Sequence, residues 1–118
     1  MSKKSFPGEL SAPVQQLKRS IQDNYSDSGY RLQHSFDLLS FHHDYLRRLF
    51  KQEVGISPLM YLTKLRMEKA KELLSDPKNK TLPIVALAQQ CGYDDPLYFS
   101  RVFKKTYGCS PSQYKQQV

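Results

Sequence analysis

Residues Tyr45–Tyr61 of this 118-residue chain return fifty-three positions later as Tyr98–Tyr114. The two stretches, YLRRLFKQEVGISPLMY and YFSRVFKKTYGCSPSQY, share eight of seventeen positions. The shared residues are Tyr45/Tyr98, Arg48/Arg101, Phe50/Phe103, Lys51/Lys104, Gly55/Gly108, Ser57/Ser110, Pro58/Pro111 and Tyr61/Tyr114. A repeat constrains architecture before any single residue does, and two copies are too few for a solenoid, which needs about three or more. Two short helical units carrying basic residues instead suggest paired heads spaced along a periodic, negatively charged polymer.

The charge points the same way. Eighteen Lys and Arg against eleven Asp and Glu leave a net +7, which favours an anionic partner. No acidic residue follows Asp95, whereas Arg101, Lys104, Lys105 and Lys115 do. The length suits one domain, divisible into two small lobes, and the 39% apolar share suits modest cores. No run of about eighteen apolar residues exists to cross a membrane, and the opening MSKKSFPGELSAP has no apolar segment behind its lysines. A cytoplasmic protein without membrane contact is expected. Cys91 and Cys109 lack metal or redox spacing and fall where apolar side chains fit, so both are expected to be buried free thiols.

Along the chain, residues 1–12 read as a flexible leader or interdomain linker, rich in Ser, Lys, Gly and Pro. A helix is predicted from about Pro13, with Val14, Leu17, Ile21 and Tyr25 inward, ending in the turn-rich residues 25–29. Residues 32–40 predict a short helix with Leu32, Phe36 and Leu39 inward. The next should run to about Gln52, burying Tyr45, Leu46, Leu49 and Phe50, and stop at Gly55. Ser57-Pro58 is a helix start, a capping Ser before a proline at the first helical position. The longest helix follows to about Leu74, with Leu59, Leu62, Leu65, Ala70, Leu73 and Leu74 as its core face. Further helices are expected from Leu82 to Cys91 with Ile84, Val85, Leu87 and Ala88 apolar, from Asp95-Pro96 to about Lys105, and from Ser110-Pro111 onward. No segment alternates with period two, so the chain is read as all-α.

Twice, then, a short helix, a turn and a second helix bearing Arg and Lys succeed one another, the layout of a helix-turn-helix whose second helix enters the major groove of DNA. Helical geometry sorts the second elements. Phe99, Val102 and Phe103 form one stripe, while Pro96, Leu97, Ser100, Arg101 and Lys104 face away. In the first unit, Leu46, Leu49 and Phe50 face inward and His43, Asp44, Arg47, Arg48 and Lys51 outward. An arginine fork can bond guanine O6 and N7 together, so the outward residues other than lysine are base-facing candidates. Lys51, Lys104 and Lys105 are phosphate candidates. Tyr45, Tyr98, Phe50 and Phe103 are expected to pack in or near the cores. Arg66 on the long helix is read as structural.

LPIVALAQQCGYDDPLYFSRVFKKTYGCSPSQY closely resembles the signature of AraC/XylS-type bacterial transcription regulators. LRMEKAKELL resembles the family's central linker helix, and NYSDSGYRL with YLRRLFKQEVGISPLMYL its first helix-turn-helix. The resemblance covers about residues 13–116. It implies two helix-turn-helix lobes, 13–56 and 76–118, joined by a long central helix over 57–75. It further implies recognition helices about one turn of duplex, ~34 Å, apart, with Arg48 and Arg101 at homologous positions and Asp44, Arg47, Leu97 and Ser100 at variable, specificity-setting ones. Family members usually carry a separate sensing or dimerising domain, so a longer regulator is implied. The first lobe departs from the pattern. Ser35-Phe36 stands where an aliphatic residue and Ala are usual, Ser40 replaces the turn Gly, and His42 replaces a capping Ser. Phe36 at a close helix crossing is expected to spread or rotate the helices.

The expected function is sequence-specific binding of double-stranded DNA. The rival is a protein-interaction module gripping an acidic partner such as RNA polymerase. His34, His42 and His43 do not complete a metal-ligand set, because adjacent helical histidines diverge by about 100°. No catalytic arrangement, cofactor motif or phosphate-cradling glycine loop is present. An enzyme borrowing this fold would need a reactive Cys.

Overall fold

The repeated Gly and Ser-Pro residues punctuate the chain as helix ends and helix starts. Gly55 (φ 97°) and Gly108 (φ 84°) adopt the left-handed conformation that closes a helix, each donating its N–H to the carbonyl four residues back, on Lys51 and Lys104. Three residues on, Pro58 and Pro111 open the next helices. Ser57 Oγ accepts from the Met60 N–H, and Ser110 and Gln113 exchange bonds in a full capping box.

The computed structural model describes residues 9–118. They form α1 (Ala12–Asn24), α2 (Leu32–Leu38), α3 (His43–Val54), α4 (Pro58–Ser75), a 3₁₀ turn (Pro77–Asn79), α5 (Ile84–Gln90), α6 (Pro96–Tyr107) and α7 (Pro111–Gln117). No strand occurs among the described residues, so the fold is all-α. Of the expected leader, residues 1–8 lie outside the described part. Ser11, just before α1, donates its N–H to the Glu53 carboxylate at 2.7 Å.

Two compact units emerge. One comprises the described residues up to Asp23 with Arg31–Leu62; the other comprises Asn24–Tyr30 with Thr63–Val118. The first unit buries Val14, Leu17, Ile21, Phe36, Leu46, Phe50, Tyr61 and Leu62. The second is built on Met67, Ala70, Leu74, Leu87, Ala88, Cys91, Tyr93, Phe99 and Phe103. The repeat reproduces its own aromatic clasp in each: Phe50 meets Tyr61 edge-on at 5.7 Å, and Phe103 meets Tyr114 edge-on at 5.7 Å. Offset edge contacts of this kind add to the area buried.

Three core expectations need correction. Leu59 and Val85 are exposed. Along α4 the inward position is Tyr61, whose hydroxyl accepts from Gln22 Nε2 at 2.8 Å and so can be buried; Leu59 lies about 200° around the helix from it. Tyr45, expected to be buried, is 46% exposed; Tyr98, expected in or near the core, is 51% exposed and packs at its edge against Tyr93. In α3 and α6 the stripe edge is the half-buried Leu49 and Val102, and the tyrosines lie about 40° beyond it. A tyrosine tolerates that margin because its hydroxyl prefers water or a polar partner.

The two helix-turn-helix turns differ. Between α5 and α6 five residues intervene, with Gly92 at φ 106°. A Cβ there would collide with the Tyr25 carbonyl and the Arg66 side chain. Arg66 donates from Nε to Tyr25 O at 2.8 Å and lies 5.2 Å from the Tyr93 ring centre, so its role is structural within the second unit. Between α2 and α3 only four residues intervene. No non-glycine residue among those described has positive φ, so Ser40 serves where the longer turn needs glycine.

Candidate nucleic-acid interface

Both second helices owe their placement to an apolar stripe pressed on the unit's core and a polar face left outside. In α6 the buried residues are Phe99 and Phe103, with Val102 half-buried. Leu97, Arg101, Lys104 and Lys105 are exposed; Pro96 and Ser100 are partly covered. Leu97 is 75% exposed, an aliphatic side chain held out to solvent. Asp95 caps the helix, its carboxylate accepting from the N–H groups of Leu97 and Tyr98 at 3.0 and 3.3 Å. Tyr98 leans on Tyr93 with ring centres 5.9 Å apart.

In α3, Leu46 and Phe50 are buried, while Asp44, Arg47, Arg48 and Lys51 are exposed. The N-cap His42 makes no side-chain capping bond. His43, expected to face outward, is only partly exposed: its ring tilts against Phe36 at 5.4 Å, and Nε2 lies 3.7 Å from the Asp37 carboxylate. Arg47 pairs with Asp44 at 3.2 Å and places its guanidinium 4.8 Å from the Phe36 ring centre.

Arg48, Lys51, Arg101, Lys104 and Lys105 differ from Arg47. Among the described residues none has a carboxylate within ion-pair distance. An arginine kept only for a surface ion pair would show such a partner; these show a cation held out to solvent at the same i, i+3 spacing in both copies. Tyr45 and Tyr98 lie three residues before those arginines, on the same exposed face. Apolar counting missed them, although their recurrence in both copies beside an exposed cation was visible in the sequence.

No group of three or more His, Cys, Asp or Glu among the described residues is arranged to hold a metal ion. Cys91 is buried and burial pushes its thiol up to about 12, leaving it protonated and unreactive at neutral pH. Cys109, expected to be buried, is partly exposed; both cysteines are free thiols. No helix among the described residues is long and apolar enough to cross a membrane.

The profile of the helix-turn-helix domain family matches residues 37–117. The C-terminal domain of AraT, a response regulator from Geobacillus stearothermophilus, superposes with a TM-score of 0.83 at 43% identity, covering 93% of this chain and 88% of that one. The C-terminal domain of the two-component response regulator yesN from Fusobacterium nucleatum superposes at 0.78 with 35% identity, covering 89% of this chain and 99% of that one. In sequence, the arabinose operon regulatory protein of Escherichia coli K12 is 36% identical over 102 residues, 86% of this chain but 34% of its own length. The chain thus spans about a third of the curated relatives it matches. Two cationic helix-turn-helix helices on an all-α frame, matched across most of the chain, mean that it belongs to the AraC/XylS-type regulators and is the DNA-binding domain of a bacterial transcription regulator.

Proposed function

We propose that α3 and α6 are the two recognition helices, each entering a major-groove segment of one asymmetric DNA site, and that the functional modules are lobes 13–56 and 76–118 joined by 57–75. His43, Asp44, Arg47 and Arg48 face bases from the first lobe; Pro96, Leu97, Ser100 and Arg101 face them from the second. Leu97 suits a thymine methyl, and the arginines suit guanine. Lys51, Lys104 and Lys105 hold phosphates, and the hydroxyls of the half-exposed Tyr45 and Tyr98 add neutral donors to the same backbone. The observation that carries the reading is the Arg-Lys step, Arg48/Lys51 and Arg101/Lys104, exposed at the same place in both copies and without a carboxylate partner among the described residues.

The intact regulator carries a further sensing or dimerising domain, a reading supported by the third of relatives' length that this chain spans. It works in the cytoplasm, with RNA polymerase as a second partner at the promoter, and the domain itself needs no enzymatic activity or cofactor.

Selecting duplexes from a random pool gives the site. Arg101→Ala then weakens binding to it by about 1–3 kcal/mol and relaxes one or two base pairs. Unchanged affinity and selectivity in that variant would overturn the assignment of α6.

A further inference from the structure

The two lobes differ in a correlated way at three places. Phe36 is the fifth residue of α2, and its counterpart, the fifth residue of α5, is Ala88. On the following helices, His43 and Arg47 of α3 correspond to Pro96 and Ser100 of α6. Where the first helix supplies an aromatic ring, the second supplies two long polar side chains, and both rest on it. Arg47 Cζ is 4.8 Å from the Phe36 ring centre and the His43 ring 5.4 Å from it. Where the first helix supplies only a methyl, the second carries two small side chains. The ring and its cover are exchanged together.

Phe36 is just 1% exposed, and Arg47 and His43 are among the side chains that cover its ring. Second contacts accompany each of these two side chains. Arg47 Nη1 lies 3.2 Å from Asp44 Oδ1. His43 Nε2 lies 3.7 Å from Asp37 Oδ1, and Gln33 Nε2 bridges Asp37 Oδ1 at 2.9 Å and His43 Nδ1 at 3.4 Å. A guanidinium lying over a ring keeps its donors directed around its edge, where a base edge can meet them. An unsupported arginine loses rotamer freedom on binding; one already seated loses less.

We propose that Phe36 is a positioning residue for base recognition by the first lobe. Its ring seats Arg47, paired with Asp44, so that arginine and carboxylate present one preset donor-acceptor pattern, matched to a guanine and a neighbouring cytosine N4 amine. This rests on the reading of α3 as a recognition helix.

The test is a double-mutant cycle read as discrimination, the affinity ratio between the selected site and sites with single base-pair changes. Arg47→Ala defines the first lobe's base pairs as those whose discrimination it relaxes. Phe36→Leu, which keeps an apolar side chain but removes the ring, lowers discrimination at those pairs by about 5-fold, the size of an exposed cation–π contact. It leaves discrimination at the pairs relaxed by Arg101→Ala unchanged, and in the Arg47→Ala background it has almost no further effect. A purely structural Phe36 would weaken all sites alike, whatever stands at position 47. The proposal is overturned if Phe36→Leu acts equally on both sets of base pairs, if its effect adds fully to that of Arg47→Ala, or if Arg47→Ala relaxes no base pair. Failure of the wild-type chain to select any sequence would instead remove the recognition-helix reading beneath it. Thermal melting of each variant separates loss of fold from loss of selectivity.

Discussion

At Gly92 and Gly108 the same residue type answers two different demands. Gly108 has positive φ and open space where a Cβ would stand. An alanine there meets only the left-handed backbone penalty, about 1–2 kcal/mol. Gly92 has positive φ as well, but its missing Cβ leaves room for the Tyr25 carbonyl and for Arg66, whose guanidinium is bonded to that carbonyl and to Tyr30 O. Backbone carbonyl and bonded arginine cannot both yield cheaply. Gly92→Ala therefore costs more than Gly108→Ala, about 3 kcal/mol, through strain and a broken part-buried network together. Urea denaturation of the two variants checks the order; equal costs would mean that the residue 25–30 segment gives way freely.

Among the helices, the contrast lies at the two recognition elements' first turns. Asp95 accepts from two amides of α6, whereas His42 at the head of α3 accepts from none. Asp95→Ala should cost about 1 kcal/mol, and His42→Ser should stabilise by about 0.5–1 kcal/mol. Chemical denaturation gives both signs, and a destabilised His42→Ser would mean that the histidine has a partner worth more than a cap. Helix order was readable in the sequence because Gly, Ser-Pro and Asp-Pro mark ends by local rules, and Phe99, Phe103, Leu46 and Phe50 lay at the centre of their stripes. Stripe margins were not readable, since a residue about 40° beyond the stripe's edge is buried or exposed according to what lies opposite. Tyr45 and Tyr98 fell outside for that reason, Tyr61 and Met67 inside. Nor could periodicity show what Phe36 touches, because the ring's neighbours come from another helix across a turn one residue shorter than its counterpart.

For the molecule as a whole, the decisive quantity is how its charge meets a polyanion. Net +7 alone attracts any anionic surface, protein or nucleic acid, and that attraction weakens as salt screens it. Duplex DNA adds something an acidic protein lacks, a condensed counterion layer released phosphate by phosphate, so log affinity falls linearly with log salt by about 0.9 per phosphate contacted. With Lys51, Lys104 and Lys105 as the three phosphate contacts proposed above, a slope at least as steep as about −2.7 is expected on the selected site. Lys104→Ala should make it shallower by about 0.9 while weakening matched and mismatched duplexes equally, because a phosphate is the same under every base pair. Tyr98→Phe should weaken binding without changing the slope, since a neutral hydroxyl displaces no counterion. Fluorescence anisotropy across a salt series measures all three. If the wild-type slope is near zero, or Lys104→Ala leaves it unchanged, then the cations that α6 holds out to solvent do not rest on DNA, and an acidic protein partner becomes the better match for that face.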